Sequence, residues 1–276
     1  MSRIVLLTHT QDNFQHGGYL LDVLARHWVG AGHDVTVVAG PGKGPQADVA
    51  VMHLDLSVIP AAYADASRQY PVVVNAAATD IRKRRVSRHL VAPGDVWTGP
   101  VIVKTDLNCG GVPEARAINR FRQDGRPADL APGPVTLMPG PYPLFRSARD
   151  VPEAAWNNPG LVVERFLPER DARGYWVRIW TFFGDRERCT RYCSRDPIVK
   201  SANIVAREPA PVPDELRAER ERLGFDYGKF DFVVVDGQAI LLDANRTPGA
   251  PAQTPEMNAS NAQLASGLDA MLRSAC

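Results

Sequence analysis

The chain has 276 residues, of which 45% are hydrophobic and 23% charged, a composition typical of a globular protein with a substantial core. Its 32 basic and 31 acidic residues give a net charge of +1, so no overall field attracts nucleic acid or an anionic membrane surface. No apolar stretch approaches the roughly 20 residues needed to cross a bilayer. The four cysteines form no zinc-binding pattern, and we expect a cytoplasmic protein with unpaired thiols, without nucleic-acid or membrane partners.

Strands and helices alternate through the first part of the chain, to about residue 75. Strands are predicted at 3–7, 34–40, 48–52 and 71–75, and helices at 19–29 and 61–69. This alternation predicts an open, mostly parallel sheet whose ligands would lie beyond the carboxyl ends of its strands. Five polar residues stand at such ends: Thr8, His9, Asp12, His16 and Asp55. No GxGxxG sequence follows the first strand, which disfavours a dinucleotide site.

We expect the remainder of the chain to fold as an α+β unit built on an antiparallel sheet. A helix is predicted to begin near Thr79 and to carry the basic run at 82–85, a kind of run that is usually a solvated helix face. Residues 124–159 are rich in Pro and Gly, which predicts an irregular, lid-like connection. The other predicted elements are strands at 101–104, 161–167 and 175–184, a helix at 213–224, a hairpin within 229–249 and a helix at 260–273.

The hairpin carries three oxygen ligands, Asp231, Asp243 and Asn245, a set that suits Mg²⁺. Asp243 and Asn245 share a face because side chains alternate along a strand. A two-residue turn at 236–237 would place Asp231 and Asp243 on opposite faces, so a metal site requires an extra loop residue or a bulge at Gly237. The alternative is a half-buried hairpin whose acidic residues face water.

Two further segments suggest a phosphate and an adenine site. Lys104 ends an apolar strand just before a loop with Gly110 and Gly111, where an ammonium group and free backbone N–H groups can face a phosphate. Glu164 closes another apolar strand, and such an exit can offer a carboxylate and backbone groups to the edge of adenine. Each residue has a plainer interpretation, a lysine or an acid that faces solvent at a strand end.

Charged residues follow this second strand. Glu169 and Asp171 stand where they could reach a ribose, although acidic residues are common in surface loops. Arg178 lies in the middle of an apolar strand, where an unpaired guanidinium would be costly. It therefore requires an anionic ligand or an acidic partner within the protein.

Taken in order, these residues resemble the ATP-grasp superfamily, especially the branch that contains glutathione synthetase and the ribosomal-protein glutamate ligase. The resemblance covers most of residues 72–250, and the residues that match are Lys83, Lys104, Glu164, Arg178 and Asp231, followed by the sequence DANRTPG at 243–249. The last motif, (E/D)xNxxPG, is the most specific. The chain departs from the pattern in the short spacing from Lys83 to Lys104, in the long spacing from Lys104 to Glu164, and in the loop sequence NCGG at 108–111.

The resemblance implies a fold and a domain division. It predicts an α/β domain with a parallel sheet at 1–76, followed by an α+β ATP-grasp domain with an antiparallel sheet at 77–276. Within the second domain, a lid-like part would cover roughly 84–163 and a catalytic part roughly 164–276. Homodimers are frequent among similar ligases, but no sequence signal for one is visible here.

The resemblance also implies a reaction and roles for individual residues. A carboxylate would be phosphorylated by ATP to an acyl phosphate, and an amine or thiol would displace the phosphate, with a small molecule or a peptide as substrate. The metal, Mg²⁺ or Mn²⁺, would be held by Asp231, Asp243 and Asn245, and Arg178 and Arg246 would be catalytic. The residues implied to contact ATP are Lys83, Lys104, Gly110, Gly111, Glu164, Phe166, Leu167, Asp171, Lys200 and Asn203.

Three other functions are compatible with parts of this pattern. The same ATP site could serve a small-molecule kinase, or a nucleotide-binding scaffold without turnover. A sugar-nucleotide transferase would need a second parallel-sheet domain, which the later half of the chain does not suggest. Cys109 in the glycine loop could be a nucleophile, but acyl-phosphate chemistry gives it no task and no His/Asp pair is matched to it.

Overall fold

The computed structural model describes residues 1–12, 14, 18–138, 140–250 and 254–273. In these residues the strands form one parallel sheet and two antiparallel sheets. His16, one of the predicted strand-end residues, lies outside the described residues. The predicted combination of a parallel α/β part and an antiparallel α+β part is confirmed.

The parallel sheet occupies the first part of the chain and has the strand order β2-β1-β3-β4. Its strands are β1 (Arg3–Thr8), β2 (Asp34–Ala39), β3 (Val49–His53) and β4 (Val73–Val74), and its helices are α1 (Leu20–Gly30) and α2 (Ala61–Ser67). Every residue of β3 is buried, as expected for a strand covered on both faces. All four predicted strands and both predicted helices are therefore present.

The larger antiparallel sheet follows the order β11-β10-β9-β12-β13, and β8 pairs with the start of β9. Its strands are β8 (Glu169–Asp171), β9 (Gly174–Phe183), β10 (Arg186–Ser194), β11 (Ile204–Pro209), β12 (Tyr227–Val235) and β13 (Gln238–Asn245). Helix α6 (Asp214–Leu223) covers one face, where Trp180, Phe182, Phe230 and Phe232 pack together. The predicted hairpin thus lies at the edge of a sheet whose other face is free to carry polar groups.

The smaller antiparallel sheet has the order β6-β5-β7. Its strands are β5 (Val101–Thr105), β6 (Leu144–Phe145) and β7 (Leu161–Arg165), and α4 (Val112–Gln123) follows β5. The segment 124–159 is mostly irregular, as predicted, apart from β6, a 3₁₀ turn at Ala148–Asp150 and the one-turn helix α5 (Glu153–Trp156). The proposed boundary between 163 and 164 falls inside β7.

Two predicted helices differ from the structure. The helix near Thr79 is a single turn, α3 (Lys83–Val86), which begins where the N–H of Lys83 bonds to the carbonyl of Asp106 at 2.8 Å. The C-terminal helix begins at Pro255, after the N-cap Thr254, and is divided into α7 (Pro255–Ala265) and α8 (Leu268–Arg273). The division occurs at Gly267, where a Cβ atom would lie 2.0 Å from the carbonyl oxygen of Phe183.

The parallel sheet and the C-terminal helices share one apolar cluster, in which Trp28 of α1 contacts Phe183 and its indole N–H donates to the carbonyl of Ala265 at 2.8 Å. A second link joins the loop after β13 to α1, because the N–H of Leu20 donates to the carbonyl of Pro248 at 2.8 Å. These contacts hold the carboxyl ends of the parallel strands next to the end of β13. None of the helices within the described ranges has the length and apolarity that a membrane span requires.

Candidate functional site

A bulge at Leu242 sets the register of the β12–β13 hairpin. The turn at 236–237 has two residues, both with positive φ, and pairs Val235 with Gln238 and Phe232 with Leu241. One residue further, Asp231 pairs with Asp243, so Leu242 is the extra residue on its strand. The predicted extra residue exists, but it lies beside the acids and not at Gly237. As a result, Asp231 and Asp243 face the same side of the sheet.

Each of these two aspartates contacts a lysine. The Lys83 ammonium lies 2.5 Å from Asp243 and is 3% exposed, and the Lys229 ammonium lies 3.0 Å from Asp231. Lys229 stands two residues before Asp231, so both side chains project from the same face of β12. The result is a compact set of two carboxylates and two ammonium groups.

Burial and charge act in opposite directions on this set. Burial raises the pKa of Asp231, and the nearby Asp243 carboxylate adds to the effect, while Lys229 opposes it. Burial alone would lower the pKa of Lys83, but the Asp243 carboxylate outweighs it and the pKa is raised. Two adjacent carboxylates that repel each other in a buried place are stabilised by cations, here the lysines and, in principle, a metal ion.

A cleft in front of these acids is lined by two kinds of side chain. We call it the large cleft only to distinguish it from a smaller pocket at the edge of the parallel sheet, described below. The cavity volume of the large cleft is about 200 Å³. The charged members are Lys83, Lys104, Glu164, Arg165, Asp231 and Asp243. The remaining wall is mainly apolar and includes Ile102, Phe166, Leu167, Trp176, Val177, Ile198, Val199, Val233 and Leu242. Seven of the predicted site residues therefore line the large cleft: Lys83, Lys104, Glu164, Phe166, Leu167, Asp231 and Asp243.

Lys104 and Glu164 form an ion pair inside the large cleft. The ammonium nitrogen lies 2.8 Å from Oε2, and the two side chains are 9% and 3% exposed. The pair forms because β5 and β7 are antiparallel neighbours, with Lys104 opposite Val162 and Ile102 opposite Glu164. Glu164 is therefore already engaged by a cation and is not an exposed acid.

Solved structures with the same fold are recognisable although the sequences have diverged. No protein-family model matches the chain, and no curated protein matches it in sequence. D-alanine–D-alanine ligase from Bacillus anthracis superposes with a TM-score of 0.52 at 11% identity, over 100% of this chain and 97% of that one. Its complex with ATP gives 0.51 at 13% identity, over 100% and 98%. The D-cycloserine synthetase DcsG gives 0.50 at 13% identity, over 98% and 99%.

These neighbours are ATP-grasp enzymes. The chain has the ATP-grasp fold. The fold implied by the sequence motifs is thereby confirmed, while the narrower resemblance to the glutathione synthetase and glutamate ligase branch stays a prediction.

Arg178 pairs with an acid of its own sheet. Its Nε and terminal nitrogen donate to the two oxygens of Glu169 at 2.9 and 2.8 Å, and Glu169 also accepts from the N–H of Val234 at 2.8 Å. Neither Arg178 nor Glu169 lines the large cleft. A phosphate could reach Arg178 only if this bidentate pair opened, so the acidic partner that the sequence required is structural in this state.

Arg246 is wholly buried and donates to the backbone carbonyls of Ala78 and Leu56. Burial lowers the pKa of its guanidinium to about 10. The side chain thus fixes the parallel-sheet part against the ATP-grasp part and does not face the large cleft. Contact with a substrate carboxylate would require it to leave both carbonyls, so the geometry argues against the predicted catalytic role.

The glycine loop lies beneath the 124–159 segment. Gly110 and Gly111 are buried with φ of 68° and 75°, and a Cβ on Gly111 would lie 2.8 Å from the carbonyl oxygen of Thr136. Cys109 shares the left-handed conformation with φ of 47°. Gly111 is therefore required by the close approach of Thr136, and Gly110 by its positive φ and by the carbonyl oxygen of Met138, which would lie 3.2 Å from a Cβ there. Neither glycine lines the large cleft.

The remaining predicted ATP contacts, Asp171, Lys200 and Asn203, do not line the large cleft. Asp171 is exposed at the β8–β9 turn and accepts from the N–H of Arg173 at 2.8 Å. Lys200 is exposed, and the Asn203 side chain accepts from its N–H at 2.7 Å and donates to the carbonyl of Ile198 at 2.9 Å. Asn203 therefore supports the loop whose residues 197–199 form one wall of the large cleft.

Asn245, the third predicted metal ligand, leads to a second pocket. Its side-chain oxygen accepts from the N–H of Thr247 at 2.8 Å, and the Thr247 hydroxyl donates to Asp55 at 2.8 Å. Asp55 also accepts from the hydroxyl of Tyr19 at 3.0 Å. The second pocket, which we call the sheet-edge pocket, lies at the carboxyl ends of β1 and β3, and the predicted strand-end residues His9, Asp12 and Asp55 line it.

Sequence reasoning missed Lys229, Trp176 and the wall at 197–199. Lys229 had a detectable signal, because a residue two positions before Asp231 on a strand must share its face. Within the described residues, no group of three or more His, Cys, Asp and Glu side chains could hold a metal ion. A magnesium site here would depend on two carboxylates, an amide and oxygens from a ligand.

Proposed function

We propose that the chain is an ATP-dependent ligase that joins a carboxylate to an amine or a thiol through an acyl phosphate and releases ADP and phosphate. The observation that carries the proposal is the large cleft, which combines an apolar wall with two facing aspartates, Lys83 and Lys104. The ATP-grasp fold supports it. The free thiols of Cys109, Cys189 and Cys193 agree with a reducing, cytoplasmic setting.

The adenine ring would lie against the apolar wall formed by Phe166, Leu167, Trp176 and Ile198. Such a wall suits a flat ring with a few polar contacts at its edge. The phosphates would extend toward Lys83 and Lys104, whose ammonium groups now face Asp243 and Glu164. Binding would therefore exchange internal ion pairs for contacts with phosphate oxygens.

The donor set on the hairpin fits Mg²⁺, because that ion binds through one or two carboxylates together with substrate phosphates. Asp231, Asp243 and Asn245 would hold it, and it would neutralise charge on the phosphates. Lys83 lies 2.5 Å from Asp243 and would move to a phosphate oxygen when the carboxylate is used in this way.

In the first step, an oxygen of the substrate carboxylate forms a bond to the γ-phosphorus and the bond to the ADP oxygen breaks. In the second, the nucleophile bonds to the acyl carbon, the C–O bond to phosphate breaks, and the protons of the nucleophile pass to phosphate or solvent. The part of the protein is to position the reactants and offset negative charge through Lys83, Lys104 and Lys229. No covalent bond to the protein is involved.

Calorimetric titration with ATP, with and without Mg²⁺, tests the site. We expect metal-dependent binding that is lost in the double variant Asp231→Asn, Asp243→Asn, because both carboxylate ligands of the hairpin are then neutral. Asp236→Asn, in the exposed turn of the same hairpin, is the matched control and retains binding. Absence of ATP binding by the folded wild-type protein would overturn the proposal.

Product analysis separates ligation from other uses of the same site. Carboxylate and amine pairs are incubated with ATP and Mg²⁺, and phosphate release together with an amide product is expected. A stable phosphorylated product would indicate a kinase, and ATP binding without turnover would indicate a nucleotide-binding scaffold.

A further inference from the structure

The ammonium group of Lys83 has a second contact besides Asp243. It lies 2.5 Å from the carboxylate of Asp243 and 3.5 Å from the side-chain oxygen of Asn108, which is buried. If Asp243 turns to a metal ion when the nucleotide binds, Asn108 is the contact that remains. A lysine has a flexible four-carbon stem, so this remaining contact decides how well the ammonium group is oriented toward the phosphates.

Asn108 is itself fixed by a serine of the parallel-sheet part. Its N–H donates to the hydroxyl oxygen of Ser57 at 2.8 Å, and Ser57 is buried. The carbonyl of Ser57 accepts from the N–H of Ile81 at 2.8 Å, two residues before Lys83. Ser57 therefore contacts both segments that meet at the lysine, the chain that leads into α3 and the loop that carries Asn108.

The position of Ser57 is set by a buried acid in the first turn of α4. One oxygen of Glu114 accepts from the N–H of Ser57 at 2.6 Å. Ser57 thus uses its N–H, its hydroxyl oxygen and its carbonyl oxygen in bonds to three different segments. A buried residue with these three bonds is held in one orientation, because a rotation would leave a backbone group unpaired.

We propose that Ser57 and Glu114 are positioning residues of the phosphate site, which act on Mg²⁺-ATP through Asn108 and Lys83 without touching it. The inference rests on the proposed ligase function and adds two residues to its site, neither of which lines the large cleft. An ammonium group that is oriented in advance loses less conformational freedom when it binds a phosphate. The chain of hydrogen bonds thereby links the parallel-sheet part to the affinity for the nucleotide.

Calorimetric titration with Mg²⁺-ATP compares Ser57→Ala with Ser67→Ala. Ser57→Ala removes the acceptor of the Asn108 N–H, and we expect the affinity to fall about tenfold. Ser67 is the matched control, because it is a buried serine of α2 whose hydroxyl donates to the carbonyl of Ala64 at 2.8 Å, and it does not line the large cleft. Ser67→Ala should keep the affinity of the wild type, and urea denaturation shows whether both variants are folded.

A double-mutant cycle with Asn108→Ala shows whether Ser57 acts through Asn108. Asn108→Ala removes the side chain that contacts Lys83 and is expected to lower the affinity for Mg²⁺-ATP about tenfold. Adding Ser57→Ala to this variant should lower the affinity no further, since the link to Lys83 is already absent. If Ser57 only supported the fold, the two losses would add.

Two variants of Glu114 separate its hydrogen bond from its charge. Glu114→Gln and Glu114→Ala both remove a negative charge that stabilises the guanidinium of Arg246. Only the glutamine keeps an oxygen that can accept from the N–H of Ser57. Glu114→Gln should therefore bind Mg²⁺-ATP about tenfold more tightly than Glu114→Ala. Should Ser57→Ala fail to fold, these two variants decide.

The outcomes separate this inference from the proposed function. Wild-type affinity for Mg²⁺-ATP in Ser57→Ala overturns the inference and leaves the ligase proposal standing. Additive losses in the cycle with Asn108→Ala, or equal affinities of the two Glu114 variants, also overturn it. Absence of Mg²⁺-ATP binding by the folded wild-type protein overturns the proposed function, and this inference with it.

Discussion

Buried charged and polar groups have different partners in the large cleft and in the region beneath the sheet-edge pocket. In the large cleft, Lys83 and Lys104 each contact a carboxylate. Beneath the sheet-edge pocket, both ring nitrogens of the fully buried His53 and the Nε of Arg246 have no hydrogen-bond partner among the described residues. The first region pairs its charges internally, although one oxygen each of Glu164 and Asp231 has no hydrogen-bond partner among the described residues. The second depends on burial, which keeps His53 neutral.

The largest expected effect comes from opening an ion pair of the large cleft. Lys104→Met leaves the buried Glu164 carboxylate without its cation, which we expect to cost about 3–5 kcal/mol of unfolding free energy. Urea denaturation at pH 7 measures it, with the exposed Lys43→Met as control. The double variant Lys104→Met, Glu164→Leu should regain most of the stability without regaining ATP affinity. If Lys104→Met alone leaves the free energy of unfolding unchanged, pairing with Lys104 does not stabilise the buried Glu164 carboxylate.

His53 sharpens the contrast through pH. Burial lowers the pKa of His53 to about 3, whereas the unfolded side chain titrates near 6.5, so the unfolded state binds more protons between these values. Stability should therefore fall as the pH drops below 6.5, by about 1.4 kcal/mol per pH unit. Between pH 7 and pH 5 the wild type should lose about 2 kcal/mol more than His53→Leu in urea denaturation.

The matched control is His27→Leu, a change on α1 at a half-buried position outside this cluster. It should keep the acid sensitivity of the wild type. If His53→Leu also keeps it, another group is responsible for the loss of stability at low pH.

A substitution of Lys229 shows whether this lysine does more than neutralise Asp231. We expect Lys229→Met to lower the affinity for Mg²⁺-ATP about tenfold, because one charge-assisted contact to phosphate is lost. Calorimetry at pH 7.5 measures the change. An unchanged affinity would mean that Lys229 contacts only Asp231, at 3.0 Å, and no phosphate of the nucleotide.

The smallest effect is expected at Cys109. Although the residue as a whole is exposed, burial of its thiol and the Asp243 carboxylate raise its pKa to about 11, so roughly one thiol in ten thousand is ionised at pH 7. Cys109→Ala should retain turnover within about twofold, and iodoacetamide should modify the wild-type thiol slowly. A large loss of turnover would give Cys109 a part in the reaction that its protonated state argues against.

The residues that sequence reasoning placed correctly are those fixed by alternation along strands. Asp231 and Asp243 were expected on one face if an extra residue existed, and Leu242 supplies it. The position of the bulge could not be read from the sequence. A two-residue turn with a bulge beside the acids and a longer loop without a bulge both place Asp231 and Asp243 on the same face of the sheet.

The partners that the sequence left open depend on contacts between distant segments. Arg246 is buried because carbonyls of Leu56 and Ala78, far away in sequence, lie at its guanidinium. Arg178 is occupied by Glu169 because β8 folds back on β9. Such partners follow from tertiary packing, which local pattern and spacing do not encode.

The bulge at Leu242 separates the tip of the hairpin from its functional end. Register between Phe232 and the turn is regular, and the shift that aligns the acids occurs only beyond it. Lengthening both strands equally at the exposed turn would therefore leave Asp231 opposite Asp243. The turn at 236–237 is thus a suitable attachment point for a peptide tag or a fluorophore, which would report on the hairpin without entering the cleft.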